Sequence, residues 1–369
     1  MKEIKREDIF DIWNSNCLKG VAVIILLFHH CFLSPKRYAG HELKLLVIPE
    51  RYLNIAAAYG KICVALFVFV SAYGLTKKMM SLEEKNKIPF WECSGKIIHS
   101  RLVKLIGNFI YYFLFIILGC VILRPGLLTE CYSRVFPDNV EYFLMDMFGI
   151  AHYFDTPSLI GTFWYYGLAI FLVLVLPFLY WLLVRLKPCM FLVLMTIINF
   201  FVSFSDKNIW HYFLCIGVGM VCAYTNFVTR GVTYKFVESE VKNKLIKFVL
   251  GVGCILFSLI LREGPLKGTL YPVWDALIPV IMVLFCCEFL FAGRFWGKIF
   301  HFLGIYSAGI FLIHNFIRSR WFFDYTYSFG YPVLIVLMLL LESLVVAIVL
   351  EKLKKLLHYD KLLGRLAEK

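Results

Sequence analysis

The hydrophobic residues of this chain come in long uninterrupted blocks. Runs of roughly 17 to 24 mostly apolar residues recur from near the N-terminus to about residue 350, and about 20 such residues span a hydrocarbon core of ~30 Å as a helix. Soluble helices and strands would instead alternate apolar and polar residues at their own period. The pattern therefore predicts an all-α, polytopic membrane protein.

Ten of these blocks predict about ten transmembrane helices. They cover residues 17–34, 55–75, 105–123, 160–183, 189–204, 209–228, 245–261, 272–292, 299–317 and 331–350. Residues 1–350 are thus expected to form one transmembrane domain. The tail 351–369 has leucines at helical spacing and six basic residues, which predicts an amphipathic helix on the inner leaflet.

The distribution of Lys and Arg predicts the orientation. With the N-terminus in the cytoplasm, the cytoplasmic segments hold 25 of these residues and the outer segments hold 11. The longest outer segment, 124–158, contains five acidic residues against two arginines. Because basic loops stay on the cytoplasmic side, both termini are predicted to be cytoplasmic. The protein is expected in the cell inner or plasma membrane, where membrane lipids are its partners.

Composition excludes several other classes. The net charge of +13 could indicate a nucleic-acid partner, but on a membrane chain it reflects basic cytoplasmic loops, so no nucleic acid is expected. The twelve cysteines include no C-x-x-C and the chain has no H-E-x-x-H, so no metal is expected. No P-loop is present, which argues against ATP hydrolysis.

Three ionisable residues interrupt the first block, "LKGVAVIILLFHHCF" at 18–32. Lys19 and His30 are eleven residues apart, about three turns plus 20°, so they share nearly one helix face roughly 16 Å apart. His29 points about 100° away and has no assigned role. Such groups are costly in lipid unless they face a cavity or a partner. His30 is therefore either a functional group or a neutral histidine hydrogen-bonded to a neighbouring helix.

Later blocks contain further ionisable residues. His314 lies in the outer half of the ninth block, and Glu342 lies near the middle of the tenth, where it needs a partner such as a histidine. Glu342 is either catalytic or part of a structural hydrogen bond between helices. Asp275 and Glu288 lie nearer span ends and are expected to be interfacial.

A basic pair precedes the third block. Arg101 and Lys104 are three residues apart and share a helix face directed toward the inner surface. They form either an anion site or ordinary cytoplasmic charge.

Several of these segments resemble the acyltransferase family 3 membrane proteins. "NCLKGVAVIILLFHH" is similar to the family's first span, a basic residue followed after ten residues by histidine, with Lys19 and His30 at those positions. "VALFVFVSAYGL" at 64–75 resembles the second span, with Ala72 in place of glycine. "RLVK" at 101–104 resembles the family's R-x-x-R.

Two later segments extend the resemblance. "FWYYGLAIFLVLVLP" at 163–177 is similar to a Trp-Phe-Leu span that ends in proline. "LGIYSAGIFLIHNF" at 303–316 resembles the Ser-Tyr-x-Ile-Tyr-Leu-x-His motif, with Phe311 where tyrosine is usual. The five matches occur in the family's order over residues 18–316.

The resemblance implies transfer of an acyl group, commonly acetyl from cytosolic acetyl-CoA, to a hydroxyl of a surface glycan or its lipid-linked precursor. It implies that His30 acts as the general base or accepts the acyl group itself. His314 and Glu342 are further candidate catalytic residues, which would orient His30. The coenzyme A phosphates would bind Lys19, Arg101 and Lys104. The candidate substrate-binding residues are Ser71, Tyr73, Trp164 and Tyr165.

Two alternative functions remain open at this point. Ten spans with buried His and Glu also suit a proton-coupled transporter or exporter of an envelope polymer or small acid. A membrane scaffold in an envelope-biosynthesis complex is the third class, and it would tolerate alanine at the ionisable positions.

Overall fold

The computed structural model of the protein describes residues 8–45, 49–85, 90–133, 135–201, 209–264 and 270–368. Three basic residues that the sequence analysis assigned to the cytoplasm before the first span, and residues 202–204 of the fifth predicted span, lie outside these ranges.

The described part of the chain consists of helices and connecting turns, without a β-strand. The α-helices are α1 (Ile12–Phe32), α2 (Glu50–Tyr59), α3 (Cys63–Lys85), α4 (Phe90–Leu123), α5 (Leu127–Cys131), α6 (Asp138–Met147), α7 (Trp164–Phe201), α8 (Phe213–Tyr224), α9 (Phe227–Thr233), α10 (Glu240–Glu263), α11 (Tyr271–Phe285), α12 (Arg294–Ile305), α13 (Ser307–Phe316), α14 (Phe323–Ser328), α15 (Pro332–Leu356) and α16 (Tyr359–Glu368). One-turn π-helices, Cys286–Leu290 and Ile317–Trp321, follow α11 and α13.

The prediction of an all-α membrane protein is confirmed. Within the described residues, 7 helical segments are long and apolar enough to cross a membrane: Ile12–Phe32, Glu50–Glu84, Phe90–Leu123, Gly161–Phe201, Glu240–Glu263, Tyr271–Leu290 and Pro332–Leu356. Two further helix pairs qualify only when joined, which gives up to 9 spans rather than the ten predicted: Ile209–Tyr224 with Phe227–Thr233, and Phe295–Ile305 with Ser307–Trp321.

The two spans predicted at 160–183 and 189–204 appear as one long helix, α7. Its 38 residues would extend about 57 Å, nearly twice the ~30 Å hydrocarbon core. The helix is interrupted at Lys187, whose backbone is non-helical with φ 62° and ψ 162°. Pro188 follows and disfavours the helical conformation of the residue before it. The sequence therefore predicts the position of this break, although not the continuity of the helix on both sides.

The chain divides into two units. Unit one consists of Met1–Leu26, Ala58–Asn86 and Leu176–Ile305, and unit two consists of Leu27–Ala57, Lys87–Val175 and Tyr306–Lys369. Helix α1 contributes its first part to unit one and its last turns to unit two.

Close helix packing in unit one depends on small residues. Helix α8 packs on α3, and a Cβ atom at Gly219 would lie 3.1 Å from the carbonyl oxygen of Phe69 and 3.2 Å from the Cβ of Ala72. Glycine at this position therefore lets the two backbones approach, as small residues do at helix contacts in membranes.

Unit one also contains a buried charge cluster where α10 ends and α11 begins. The Arg262 Nε donates to Asp275 Oδ1 at 2.6 Å, and His211 Nε2 lies 2.6 Å from Asp275 Oδ2. The Arg262 guanidinium lies 4.1 Å from the centroid of the Tyr271 ring. Asp275 is fully buried within unit one, and its expected position at the membrane interface stays a prediction. Glu288, the other residue expected at an interface, is paired with Lys247 at 2.8 Å.

In unit two, α13 packs on α15 and α4. A Cβ atom at Gly309 would lie 2.8 Å from the Cβ of Ala347 and 3.0 Å from the Tyr112 ring. Only glycine fits here, so Gly309 sets the close approach that positions the rest of α13, including His314.

Helix α16 covers part of α4. The Tyr359 hydroxyl donates to the carbonyl oxygen of Gly107 at 2.9 Å, and the buried Leu363 side chain lies over the same glycine. The tail is thus helical in 359–368, whereas residues 351–356 continue α15. Its location on the inner leaflet stays a prediction.

Candidate functional site

Two of the predicted catalytic histidines lie together in unit two. His30 is in the last turn of α1 and His314 is in the last turn of α13. Their ring centroids are 5.0 Å apart. His314 is completely buried, whereas His30 is half-buried. Segments that are 284 positions apart in the sequence therefore form one imidazole pair.

Backbone hydrogen bonds define the tautomer of His314. Its Nδ1 lies 2.8 Å from the carbonyl oxygen of Phe311 and 3.1 Å from that of Ile310. Carbonyl oxygens only accept, so Nδ1 carries the proton and Nε2 carries the lone pair. The Nε2 atom is buried and has no hydrogen-bond partner among the described residues. His314 thus presents an unused basic nitrogen within the protein.

The neighbouring histidines of α1 differ in their partners. The Nδ1 of His29 donates to the carbonyl oxygen of Ala57 at 2.7 Å, which ties the end of α1 to α2. The Nδ1 of His30 is buried without a partner in the described part of the chain. The sequence offered no role for His29, and the structure assigns it this anchoring contact.

A buried arginine lies beside the pair. Arg318 is 2% exposed, and its Nη2 and Nε donate to Asn315 Oδ1 at 2.6 and 3.1 Å. Its Nη1 donates to the Tyr327 hydroxyl at 3.2 Å. Tyr327 in turn donates to the carbonyl oxygen of Cys31, next to His30, at 3.1 Å. One hydrogen-bond chain therefore connects Arg318 to the turn that holds His30.

The charge of this site is positive. Arg318 lies against Arg37, whose carbonyl oxygen accepts from the Arg318 Nη1 at 3.5 Å, and no described carboxylate forms an ion pair with Arg318. Burial lowers the pKa of Arg37, and the nearby Arg318 lowers it further. A buried cation without a carboxylate partner favours a negatively charged group at the same place.

Four residues of this site were not predicted from the sequence: Arg318, Asn315, Tyr327 and Arg37. The predicted ninth span ended at 317, which left Arg318 as an ordinary loop charge. The structure continues the helix through the π-turn Ile317–Trp321, a deviation that is frequent at functional sites. The available signal was spacing, because Arg318 follows His314 by four residues and so shares its helix face.

Glu342 has no histidine partner among the residues that the structure describes. It lies half-buried on α15, and its Oε2 has no hydrogen-bond partner among the described residues. The hydrogen bonds of His314 go to backbone carbonyls instead. A catalytic role for Glu342 stays a prediction.

Arg101 and Lys104 are both exposed on α4 in unit two. In the described ranges neither has an acidic partner. Their charges are thus available to an anion, and their binding of coenzyme A stays a prediction.

Trp164 and Tyr165 begin α7 in the same unit. The Tyr165 ring centroid is 5.1 Å from that of Phe311, whose ring lies 6.1 Å from that of His314. The side chain of Phe311 therefore lies between the aromatic pair at the start of α7 and His314.

Three predicted residues lie in unit one. Lys19 donates to Asn16 at 3.3 Å within α1, and Ser71 is half-buried on α3. The Tyr73 hydroxyl donates to the Asp8 carboxylate at 2.9 Å, which also pairs with Lys77 at 2.9 Å. Contacts of Tyr73 with substrate stay a prediction.

Comparison with known proteins identifies the family. The model of the acyltransferase family 3 domain, described as "Acyltransferase domain", matches residues 12–352. The chain therefore belongs to this family, and with its membrane-spanning helices it is a multi-pass membrane acyltransferase. No curated protein gives a significant match to the chain. No solved structure gives a significant match either.

Proposed function

We propose that the protein is an O-acyltransferase that moves an acyl group, most simply acetyl, from cytosolic acyl-CoA to a hydroxyl of a cell-surface glycan or its lipid-linked precursor. The observation that carries this proposal is the His30–His314 pair, in which the basic Nε2 of His314 is unused and a buried arginine lies alongside. Family membership supplies the acyl-transfer reaction.

The residues of the pair can perform the proton transfers of this reaction. One imidazole nitrogen removes the proton of the acceptor hydroxyl while the oxygen attacks the thioester carbon. The carbonyl oxygen becomes negatively charged, and Arg318 supplies the positive charge that stabilises it. The C–S bond then breaks, and the imidazolium returns the proton to the coenzyme A thiolate. In a two-step variant the imidazole first accepts the acyl group and then passes it to the hydroxyl.

The direct test supplies acetyl-CoA labelled in the acetyl group to the purified protein together with envelope glycans from a deletion strain. Mass spectrometry should detect labelled ester on the glycan and free coenzyme A in equal amounts. Release of acetate without any ester on a glycan, lipid-linked sugar or other envelope acceptor would refute the proposal.

One observation favours a second candidate, a proton-coupled transporter. Helices α8 and α9 meet at an angle of 67° next to Asn226, whose φ is 52°, and broken helices are typical of transporter binding sites. Reconstituted vesicles distinguish the two functions, because a transporter moves its substrate without acetyl-CoA.

The first prediction concerns donor binding. Replacing Arg101 and Lys104 together by alanine should raise the KM for acetyl-CoA by about 10–100-fold, because charge-assisted hydrogen bonds to phosphate are lost. The turnover number at saturating donor should change little. Lys96→Ala removes an exposed charge from the same helix and serves as the control. An unchanged donor KM in the double variant would contradict a coenzyme A site here.

The second prediction concerns Arg318. Arg318→Ala should lower kcat by about 10²–10³-fold, since removal of one oxyanion-stabilising donor has effects of this size. Arg318→Lys keeps the charge but not the planar fork that contacts Asn315 and Tyr327, so it should recover part of kcat. Arg320→Ala, two residues away, is the control. If Arg318 only stabilised the fold, Arg318→Ala would lower protein abundance and leave kcat per folded molecule unchanged.

A further inference from the structure

A polar cavity lies in unit two, in the segment between α6 and the start of α7. Its volume is about 200 Å³, below the roughly 300–1,000 Å³ of pockets for drug-sized ligands. The lining consists of Asp146, Gly149, Ala151, His152, Asp155, Thr156, Ser158, Ile160, Gly161, Phe163 and Trp164. The size suits one ring of a small hydrophilic ligand.

The wall of the cavity is held in place by the buried carboxylate of Asp146. Its Oδ2 accepts from the Tyr132 hydroxyl at 2.7 Å and from the Leu159 N–H at 2.8 Å, and its Oδ1 accepts from the Ser158 hydroxyl at 2.7 Å. Burial raises the pKa of Asp146, and these three hydrogen bonds oppose the shift. The loop is thus fixed to α6 by one side chain, which gives the cavity a defined shape.

A glycine keeps the wall close to α7. Gly149 has a φ of 71°, and a Cβ atom there would lie 3.2 Å from the Cβ of Tyr166. Both the backbone conformation and the space therefore favour glycine. The Tyr153 hydroxyl donates to the carbonyl oxygen of Gly167 at 2.6 Å, and this hydrogen bond also holds the cavity wall against α7.

The groups that remain available in the cavity suit an uncharged ligand rich in hydroxyls. His152 and Asp155 form no hydrogen bond within the described residues through their side chains, so both can bind hydroxyl groups. The half-buried Trp164 lies with its ring 6.2 Å from that of His152 and provides an aromatic surface. The lining contains two aspartates but no Lys or Arg, which disfavours the phosphates of coenzyme A.

A series of contacts between aromatic rings connects the cavity to the histidine site. The ring centroids of Trp164 and Tyr165 are 6.4 Å apart, and Tyr165 reaches Phe311 at 5.1 Å. Phe163, also in the lining, lies 5.9 Å from Phe316, which is two residues beyond His314. Phe163 therefore connects the cavity wall to α13, the helix that carries the candidate base.

We infer that this cavity is the acceptor subsite and binds one sugar ring, with Trp164 against its apolar face and His152 and Asp155 on its hydroxyls. The inference rests on the proposed function, because it assigns the cavity to the acceptor of that reaction. In this interpretation the residues of segment 146–164, rather than the histidine pair, determine the specificity for the glycan acceptor.

Binding can be measured without turnover. The full-length protein carrying His30→Ala is titrated in detergent with a panel of methyl pyranosides, and saturation-transfer NMR reports the bound sugar. At least one pyranoside should bind, and His152→Ala or Asp155→Asn should each weaken its binding roughly tenfold, as expected for loss of a hydrogen bond. Trp164→Ala should weaken it at least as much. Trp181→Ala, a half-buried tryptophan further along α7, is the matched control and should leave binding unchanged.

Kinetics separate the two proposals. The same three cavity variants on the active protein should raise the KM for the glycan acceptor and leave the KM for acetyl-CoA unchanged. Equal acceptor KM values in wild type and all three variants, with acyl transfer intact, would overturn the subsite and leave the proposed function standing. If the protein bound a sugar that the cavity variants no longer bind, but transferred no acyl group, the sugar site would stand and the proposed acyltransferase function would be overturned. Binding of no pyranoside by the His30→Ala protein would also overturn the subsite.

Discussion

His30→Ala should lower acyl transfer by about 10²–10⁴-fold, the usual contribution of a positioned general base. The side chain lies 5.0 Å from His314 between ring centroids, and its Nδ1 is buried without a partner, so its removal breaks no hydrogen bond of the described fold. Protein abundance in the membrane should therefore remain near wild type. Ester formation on the glycan, measured per folded molecule, is the readout.

Two further variants sharpen this prediction. His314→Ala should cause a loss of similar size, and the double variant should lose little more, because residues that act as a unit are not additive. His358→Asn is the control, since His358 is exposed with a φ of 54° and asparagine tolerates that conformation. Full acetylation by His30→Ala would exclude His30 as the base or acyl acceptor.

Arg262→Ala should lower the free energy of unfolding by about 3–5 kcal/mol, because it leaves Asp275 as a buried carboxylate without its main cationic partner. Both side chains are fully buried, with Arg262 Nε 2.6 Å from Asp275 Oδ1. Thermal unfolding of the detergent-solubilised protein, followed by aggregation or intrinsic fluorescence, measures the effect.

The matched control removes a charge from the other end of α10. Lys244 pairs with Glu240 at 3.0 Å, but the two side chains are 59% and 78% exposed. Exposed pairs contribute about 0–1 kcal/mol, so Lys244→Ala should be nearly neutral. Equal unfolding temperatures for the two variants would show that water reaches the Arg262–Asp275 pair. Replacing Arg262 and Asp275 together by apolar residues of similar size should restore much of the loss.

The membrane class and the histidine pair could be predicted from the sequence. Long apolar blocks permit little except spanning helices, and an imidazole inside such a block needs a partner or a function. The family motifs then selected His30 and His314, and the structure brings these two residues together. The signals were strong because lipid makes every polar residue in a span costly.

Other features depend on contacts that one-dimensional patterns do not contain. Arg318 and Asp275 lie at the ends of apolar blocks, where a solvated charge and a buried one have the same sequence context. The cavity at 146–164 arises from one carboxylate that joins α6 to a loop. The number of spans is a further feature of this kind, because hydropathy does not show whether a polar residue ends a helix or only bends it.

The break at Lys187 has a consequence for the topology of the chain. If α7 crosses the membrane once and the two bent helix pairs either both cross or both turn back, the described spans number seven or nine, both odd, and the two termini face opposite sides. If the chain crosses back after Lys187, each total rises by one to an even number, and both termini share a side. With the bent pairs counted alike, the path of the chain at Lys187 thus decides whether the tail helix lies on the same side of the membrane as the N-terminus.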